Sequence, residues 1–550
     1  MRLALAGIAE TRALEYTVME SWGMPQLLLM ERAALAVAEI AHRTAASRGP
    51  RIGIVAGWGN NGGDGLATAR LLKTWGYDPV VTLIDGPLSY AAQQQLEWAR
   101  RWGVRIEGLG DRLPDADVYV DALFGFGLNR PPEGEAARAI ALLNGSQASV
   151  LAIDLPSGLD GTTGTLPGGR FPGEASSAEL VRAEQTVALG VLKSGLLADA
   201  ALDWVGELWL GDLGFPEALT AELPGDVITS ERWPGRQRAA HKGNAGFVLV
   251  VGGSRAMSGA PLMAALAAAR VGAGLVYAAV PAGIRDVVAA GMPEAVVVPL
   301  PEDAEGGIAE EAWGTLAPLL ERCHAGIVGP GMGVGVGAMS VAGRLYREWD
   351  RPLVVDADAL RVAGDSAGGA RILTPHPAEM GRLMGASAAE IQSDRIRWAR
   401  EGAKRLGSVL VLKGARTVVA ESGGGYGVNA GGHPVMATAG SGDVLAGLIG
   451  GLLAQGMDSR DAARRGVRLH ASLGEASAIG PTGRSMLALD MLDCLTDVLR
   501  SMTSFSVVSG STPIRVARFA KGETSNNAGR YPDEPPDYPG GPLSGAPLRG

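Results

Sequence analysis

Segments with the pattern of β-strands alternate with segments with the pattern of α-helices along most of the chain. In the first stretch, apolar runs at 51–56 and 117–121 are separated by helical patterns at 66–75 and 90–102. A second stretch starts with another apolar run at 247–251 and repeats the alternation. Because strands that alternate with helices form parallel sheets with helices on both faces, the sequence predicts two α/β domains.

Length, charge and cysteine usage limit the classes of partner and compartment. The chain has 550 residues and a formal net charge of −9. Binding to a nucleic-acid backbone needs a basic surface, so the acidic balance argues against a nucleic-acid partner. No uninterrupted apolar run reaches the ~18 residues needed to span a bilayer, so no membrane association is predicted. Two cysteines, Cys323 and Cys494, are too few for a disulfide framework and indicate a reducing compartment, the cytoplasm.

Composition shifts divide the chain into four parts. We predict a first α/β domain over 1–216 and a linker over 217–232, where Pro224-Gly225 occurs and there is little periodicity. A second α/β domain is predicted over 233–500. The last part, 501–550, is rich in Ser, Pro, Gly and Asn, which is typical of a low-complexity, disordered tail.

A glycine-rich segment at 57–65 follows a strand and begins a helix. Its sequence, Gly-Trp-Gly-Asn-Asn-Gly-Gly-Asp-Gly, can direct backbone N–H groups toward an anion at the helix N-terminus. A turn without a ligand and a plain Rossmann dinucleotide site are alternative interpretations. Neither alternative explains the polar side chains of Asn60, Asn61 and Asp64.

Two later strands end in acidic residues. Asp121 and Asp154 occupy these positions, and Asp154 precedes a Pro-Ser-Gly turn that contains Ser157. The carboxyl ends of parallel strands line one crevice, although an Asp before such a turn can simply be a turn former. Asn61, Asp121 and Ser157 form an oxygen-only ligand set, which suits a hard cation rather than zinc.

A second cluster of motifs lies in the second domain. The segment 439–443, Ala-Gly-Ser-Gly-Asp, precedes an apolar helical pattern. Glycines at a helix start can bind a transferring phosphoryl group, and Asp443 in the first turn can accept a proton from the attacking hydroxyl. A helix cap is the alternative role for Asp443. His376 in a strand-end loop, and the segments 413–417 and 329–333, also have purely structural interpretations.

The segments Asn-Asn-Gly-Gly-Asp-Gly, Val-Asp-Ala-Leu-Phe-Gly-Phe-Gly and Asp-Leu-Pro-Ser-Gly-Leu-Asp resemble those of the NAD(P)H-hydrate epimerase family, which has a Rossmann-like fold, over about residues 1–215. The resemblance implies K⁺ bound by Asn61, Asp121 and Ser157, and Asp154 as the general acid/base that inverts C6 of the hydrated nicotinamide. The residues implied in binding the dinucleotide hydrate are Asn60, Asn61, Gly62, Gly63, Asp64, Gly125, Phe126, Gly127, Leu128, Asn129, Arg130, Pro131 and Asp154.

The motifs of the second domain resemble the ribokinase-like, ADP-dependent NAD(P)H-hydrate dehydratase family over about 233–500. The resemblance implies Asp443 as the catalytic base, ADP as the co-substrate and Mg²⁺ bridging its phosphates. The implied nucleotide-binding residues are Lys413, Gly414, Ala415, Arg416, Thr417 and Gly442, and the implied contacts to the S hydrate are Ala260, Gly331, His376 and Asp443.

Together the motifs predict a bifunctional metabolite repair enzyme. The first domain would interconvert the R and S hydrates of NADH and NADPH, and the second would dehydrate the S form while converting ADP to AMP and phosphate. Its partners would be these hydrates, ADP and further copies of itself in a homo-oligomer. The alternatives are a Rossmann oxidoreductase fused to a sugar or vitamin kinase, and a non-catalytic nucleotide sensor. A sensor has no need of Asp154 and Asp443 at the reactive positions.

Overall fold

The computed structural model describes residues 2–128, 130–229, 239, 241–364, 367–478, 486–502 and 514–517. The strands are β1 (Ala4–Ala6), β2 (Ile52–Ala56), β3 (Val80–Leu83), β4 (Arg105–Gly108), β5 (Val118–Ala122), β6 (Ser149–Ile153), β7 (Gln185–Leu189), β8 (Leu192–Lys193), β9 (Glu207–Gly211), β10 (Gly225–Ile228), β11 (Phe247–Val251), β12 (Leu275–Pro281), β13 (Val296–Leu300), β14 (Ala325–Val328), β15 (Leu353–Val355), β16 (Arg371–Leu373), β17 (Val409–Leu412), β18 (Val418–Ala420), β19 (Tyr426–Asn429) and β20 (Ile514–Ala517). The helices are α1 (Ile8–Tyr16), α2 (Gln26–Arg48), α3 (Asn60–Thr74), α4 (Tyr90–Arg101), α5 (Gly134–Asn144), α6 (Leu202–Val205), α7 (Glu217–Ala221), α8 (Gly259–Arg270), α9 (Arg285–Gly291), α10 (Ala312–Leu320), α11 (Val336–Glu348), α12 (Pro377–Met384), α13 (Ala388–Ser393), α14 (Arg395–Leu406), α15 (Ser441–Ala454), α16 (Ser459–Ser477), α17 (Asp490–Asp493) and α18 (Leu495–Met502).

The smaller sheet has eight strands in the order β20-β9-β7-β6-β5-β2-β3-β4. All its strand pairs are parallel except that of β20 with β9. Successive side chains of a strand point to opposite faces. Accordingly, Val118 and Val120 of β5 pack with α2 and α3, whereas Tyr119 packs with Ile140 of α5. This part of the molecule is the doubly wound sheet that the sequence predicts.

The larger sheet has twelve strands, and the seven strands from β11 to β17 pair with one another in parallel. Helices α8, α15 and α16 pack on one face of it, and α10 and α11 pack on the other. Helices α8 and α15 lie very close together, because a Cβ on Gly447 would overlap the carbonyl of Ala264. The second predicted α/β domain is therefore also confirmed as an α/β sandwich.

The two halves of the chain share the larger sheet. Strands β1, β8 and β10 all belong to the first 228 residues, yet they extend this sheet through the pairing of β10 with β19. Leu5, Leu192 and Leu197 pack in one buried cluster with Leu412 and Val418 of the C-terminal half. The sequence did not indicate this, because strands of two to four residues carry too little periodicity to be recognised.

Two predictions about connecting segments need correction. The region 217–232, predicted to be a linker, contains α7 and β10, and pairing with β19 gives β10 a defined structure there. The predicted disordered tail contains β20, whose Arg515 side chain donates a hydrogen bond to Glu207 of β9 at 3.1 Å. The rest of the tail, 503–513 and 518–550, lies outside the described residues. Within the described ranges, no helix has both the length and the apolarity needed to cross a bilayer.

Two candidate active sites

A cavity of about 450 Å³ opens at the carboxyl ends of β2, β5 and β6 in the smaller sheet. Strand β2 lies between β5 and β3, so the strand order reverses here, which is where open α/β sheets usually bind ligands. The predicted residues that line the cavity are Asn60, Asn61, Asp64, Gly125, Phe126, Gly127, Leu128, Arg130 and Asp154.

Some predicted residues lie elsewhere. Pro131 is exposed and does not line the cavity, and Asn129 lies outside the described residues. Gly62 and Gly63 lie behind the cavity wall, where a Cβ on Gly62 would overlap the carbonyl of Gly57 and one on Gly63 would contact Met30. Gly62 therefore allows α3 to approach the end of β2, and Gly63 allows α3 to pack closely against α2. Because α3 begins at Asn60, the polar side chains expected in a loop belong to the first helical turns instead.

Asp154 has an unusual backbone conformation and a charged partner. Its φ is +66°, in the left-handed region that non-glycine residues rarely adopt, and its side chain is 4% exposed. Its Oδ1 accepts hydrogen bonds from Lys193 Nζ and, at 3.1 Å, from the backbone N–H of Leu189. Lys193 is itself buried and also donates to the carbonyl of Leu189 at 2.8 Å. A buried ion pair with these extra hydrogen bonds holds the carboxylate in one place at the cavity wall.

Two further acids lie near this ion pair. Burial raises the pKa of Asp64 well above its usual range, and the charges of Asp154 and Glu15 add to the rise. Burial also raises the pKa of Glu15 to about 7, although the ammonium of Lys193 opposes it. Both side chains line the cavity. The site therefore combines a carboxylate paired with an ammonium and two acids whose pKa values are raised by burial.

The three residues of the predicted oxygen set lie around the same strand ends. Asp121 is buried. Ser157 donates two hydrogen bonds to it, one from the Oγ of Ser157 at 2.7 Å and one from the backbone N–H of Ser157 at 2.8 Å. Burial raises the pKa of Asp121 to about 6. In the described part of the chain, Asp121 has no cationic side chain within salt-bridge distance, and the buried Nδ2 of Asn61 has no hydrogen-bond partner. A buried carboxylate without a counter-charge fits a monovalent cation, and an unpartnered amide donor fits a polar ligand.

The second site lies at the carboxyl ends of β14 to β17 in the larger sheet. Lys413 follows β17, and its Nζ lies 2.9 Å from Asp356 Oδ1 and 3.7 Å from Glu379 Oε2. Asp356 follows β15, and its Oδ1 also accepts a hydrogen bond from Thr374 Oγ1 at 2.7 Å. Burial lowers the pKa of Lys413, but the two carboxylates outweigh it and the net pKa is raised. Lys413 is therefore a firmly protonated ammonium within an acidic cluster.

Asp443 is the third carboxylate of this cluster. It lies in the first turn of α15, where burial and the negative charge of Asp356 raise its pKa to about 7, against the opposing charge of Lys413. A carboxylate with a pKa near neutrality can accept a proton and release it again. Gly442 precedes it, and a Cβ there would lie 3.3 Å from Lys413 Nζ.

His376 caps a helix beside the same cluster. Its Nδ1 accepts hydrogen bonds from the backbone N–H of Ala378 at 3.2 Å and of Glu379 at 3.4 Å. These hydrogen bonds cap the N-terminus of α12. Burial and the charge of Lys413 lower the pKa of His376 to about 4, so its ring is neutral. The structure thus supports the structural interpretation of His376 as a helix cap, and its side chain is still 48% exposed.

The remaining predicted residues occupy two neighbouring places. A Cβ on Gly331 would lie 3.0 Å from the Cβ of Ala260, so these two residues are in contact across the loops after β11 and β14. In the segment 413–417, Gly414 and Ala415 are exposed, whereas Arg416 is buried and donates to the carbonyl of Gly431 at 3.1 Å. Arg416 is thus directed into the protein rather than outward from the loop.

Sequence reasoning missed Lys193, Glu15, Asp356 and Glu379. Lys193 was the easiest to find, since it is a single lysine within the apolar run 186–197 and lysine is rarely buried without a partner. Asp356 directly follows a strand, as Asp154 does, and Asp121 lies next to the last residue of one. Glu15 carried no signal, because it lies in a helix remote in sequence from the other cavity residues.

Comparisons with known proteins cover both sites. The family described as YjeF-related protein N-terminus matches residues 26–195, and the family described as NAD(P)H-hydrate dehydratase matches residues 248–497. The bifunctional NAD(P)H-hydrate repair enzyme of Moorella thermoacetica is 37% identical over 530 residues, which covers 90% of this chain and 97% of the relative. This chain belongs to the family of bifunctional NAD(P)H-hydrate repair enzymes. The family membership predicted from the motifs is therefore confirmed.

Other members of the repair enzyme family align along most of their length. The enzyme of Gloeobacter violaceus is 40% identical, with 86% of this chain and 93% of the relative covered. The ADP/ATP-dependent NAD(P)H-hydrate dehydratase of Bacillus subtilis, solved after co-crystallisation with ATP/Mg²⁺, is 30% identical. It covers 50% of this chain and 98% of its own, with a TM-score of 0.45.

Proposed function

We propose that this chain repairs hydrated NADH and NADPH in two steps, with the epimerase site at Asp154 and the dehydratase site at Asp443. The observation that carries the proposal is the alignment with a named repair enzyme over 97% of that relative, which spans both sites. An oxidoreductase joined to a kinase and a nucleotide sensor have no comparable support. The nucleotide role of 413–417 and Gly442 is part of this proposal.

The epimerase step needs a base and an acid in one cavity. The substrate carries a hydroxyl on C6 beside the ring nitrogen. When an acid protonates this hydroxyl, the nitrogen lone pair expels it as water and leaves an iminium ion. Water then adds to C6 from the other face and loses a proton. Glu15 or Asp64 supplies the first proton, and Asp154, held in place by Lys193, stabilises the cation and accepts the second proton.

The dehydratase step turns a poor leaving group into a good one. Asp443 removes the proton of the C6 hydroxyl, whose oxygen attacks the terminal phosphorus of ADP and displaces AMP. The ring nitrogen then expels phosphate from C6, and loss of a proton from C5 restores the double bond. Lys413 stabilises the negative charge that develops on the phosphoryl oxygens.

Two cations belong to the proposal. Asp121, Ser157 and Asn61 would hold K⁺, which would neutralise the buried carboxylate of Asp121 and so fix the strand ends around the cavity. In the second site, Asp356, Glu379 and Asp443 bring three carboxylates to a single ammonium, and this excess of negative charge fits Mg²⁺ carried by the nucleotide phosphates. Bound there, Mg²⁺ would offset charge on the transferring phosphoryl group.

The decisive experiment uses a mixture of the R and S hydrates of NADH. With the full chain, ADP and Mg²⁺, we expect complete recovery of NADH absorbance and release of AMP in equal amount. Without ADP, we expect interconversion of the hydrates, seen by chromatography, and no NADH. Absence of both reactions in the folded protein would contradict the proposal. Sedimentation analysis would test the homo-oligomer, which stays a prediction, as does the cytoplasmic location.

A further inference from the structure

A carboxylate from the N-terminal half of the chain contacts the loop 413–417. Asp199 Oδ1 accepts a hydrogen bond from the backbone N–H of Arg416 at 2.7 Å, and Asp199 Oδ2 accepts one from the backbone N–H of Ala415 at 3.1 Å. One charged group thus holds two consecutive peptide N–H groups, which fixes the orientation of both peptide planes. Asp199 lies just beyond the segment 26–195 that matches the N-terminal family.

The surroundings of Asp199 keep its carboxylate in this place. Arg395 Nη1 lies 3.6 Å from Asp199 Oδ2, and the side chains of Arg395 and Asp199 are only 4% and 16% exposed. Arg395 also donates to the carbonyl of Leu412, directly before the loop, at 3.0 Å. A Cβ on Gly414 would lie 2.5 Å from Asp199 Oδ2, so glycine is needed there for the carboxylate to approach. The contact is built from both halves of the chain.

The rest of the loop faces the candidate dehydratase site. Lys413, its first residue, directs Nζ toward Asp356 and the start of α15 rather than toward Asp199. Strands β17 and β18 flank the loop, and their Leu412 and Val418 pack in one buried cluster with Leu197 and Ala201, on either side of Asp199. The loop is therefore held from the N-terminal half at Ala415 and Arg416, while Lys413 at its start lies in the candidate dehydratase site.

From this geometry we infer that Asp199 is a positioning residue of the dehydratase site, supplied by the N-terminal half of the chain, which orders the loop 413–417 for adenosine nucleotide binding. The inference rests on the proposed nucleotide role of that loop. Without the carboxylate, the loop samples other conformations. Part of the free energy of nucleotide binding is then used to order the loop. Affinity for ADP should fall, whereas the phosphoryl transfer carried out by Asp443 and Lys413 should continue at its usual rate.

The test is Asp199→Asn, which keeps the side-chain shape and removes the charge. We expect the KM for ADP to rise about tenfold, equal to about 1.4 kcal/mol, with kcat changed by less than about twofold and epimer interconversion unchanged. Asp203→Asn, at an exposed acid four residues further on in α6, is the matched control and should leave the KM unaltered. An unchanged KM in folded Asp199→Asn would overturn the inference. A lower KM would also overturn it, since Asp199 would then compete with the nucleotide.

A second measurement does not depend on a variant folding. In the nucleotide-free parent protein, we expect the amides of Ala415 and Arg416 to be protected from hydrogen exchange, and unprotected amides would overturn the inference. Calorimetric titration of the parent with ADP and Mg²⁺ separates the two proposals. If the parent fails to bind ADP, the proposed function fails; if it binds ADP and Asp199→Asn binds equally well, only the positioning role fails.

Discussion

The two candidate sites each present an aspartate at the carboxyl edge of a parallel sheet, but they give it different partners. Asp154 shares its buried position with Lys193, whose ammonium pairs directly with its carboxylate. Asp443 has a lysine nearby as well, yet Lys413 is paired with Asp356, and the pKa of Asp443 is raised to about 7. The comparison shows that the partner of an acid, more than its place in the fold, decides what it can do.

The difference matches the chemistry proposed for each site. A cationic ring intermediate is stabilised by a carboxylate at the cavity wall, which Asp154 provides while its contact with Lys193 holds it in place. A hydroxyl that must lose its proton needs a base with a pKa near the working pH, which Asp443 provides. In the first site, the exchangeable proton belongs to other residues, Glu15 and Asp64.

The largest expected effect separates the two sites by mutation. Asp443→Asn should lower the rate of ADP-dependent NADH formation by up to about 10⁴-fold, while epimer interconversion persists. Asp154→Ala should lower epimer interconversion by about 10²–10⁴-fold and leave dehydration of the S hydrate intact. A mixed hydrate pool would then be repaired quickly only in part. Chromatography of the residual hydrate measures both outcomes, and loss of both activities in either folded variant would refute independent sites.

Removing the ammonium of Lys193 should affect stability as well as epimerisation. Lys193→Met leaves the carboxylate of Asp154 buried without a counter-charge, which should lower the free energy of unfolding by about 3–5 kcal/mol. The double variant Lys193→Met, Asp154→Asn should regain most of the lost free energy of unfolding. Lys73→Met is the control, because its partner Asp78 is exposed to solvent and their ion pair should contribute little to stability. Chemical denaturation gives the free energy of unfolding of the parent, the two lysine variants and the double variant. Equal losses of this free energy in the two lysine variants would contradict the buried ion pair.

The two activities should respond to pH in opposite directions. Asp443 must be deprotonated to act as a base, so kcat/KM for dehydration should rise about tenfold per pH unit below 7 and level off above it. Glu15, with a pKa of about 7, must be protonated to act as an acid, so epimerisation should decline above pH 7. Glu15→Gln should remove this decline. Parallel pH profiles for the two activities would contradict the assignment of acid and base.

The smallest expected effect concerns the cation at Asp121. Because its folded pKa of about 6 lies above the ordinary value, the folded protein loses stability as pH rises from about 4 to about 6, by roughly 3 kcal/mol without a cation. At pH 8, KCl should therefore raise the unfolding temperature by a few degrees relative to choline chloride at equal ionic strength. Asp121→Asn should abolish this difference. An equal response to both salts in the parent would argue against a K⁺ site.

Much of the second domain was predictable from local sequence. The strand Phe247–Val251 has the bounds that its apolar run indicates, and α15 begins within the segment 439–443 that precedes the apolar helical pattern. These elements are long or uniformly apolar, so their periodicity survives without tertiary information. The acids at the ends of β5 and β6 were predictable for a related reason, since parallel strands bring their carboxyl ends to one edge.

The sequence by itself determined that this chain forms two α/β units with acids and glycines at the strand ends, because periodicity and strand-end chemistry are local properties. Only the tertiary structure decided which charges meet. Lys193 reaches Asp154, 39 residues away, and Asp199 reaches Arg416, 217 residues away, across a sheet that both halves share. Such pairings depend on the packing of remote segments, and burial then sets their electrostatic strength. No local pattern in the sequence contains that information.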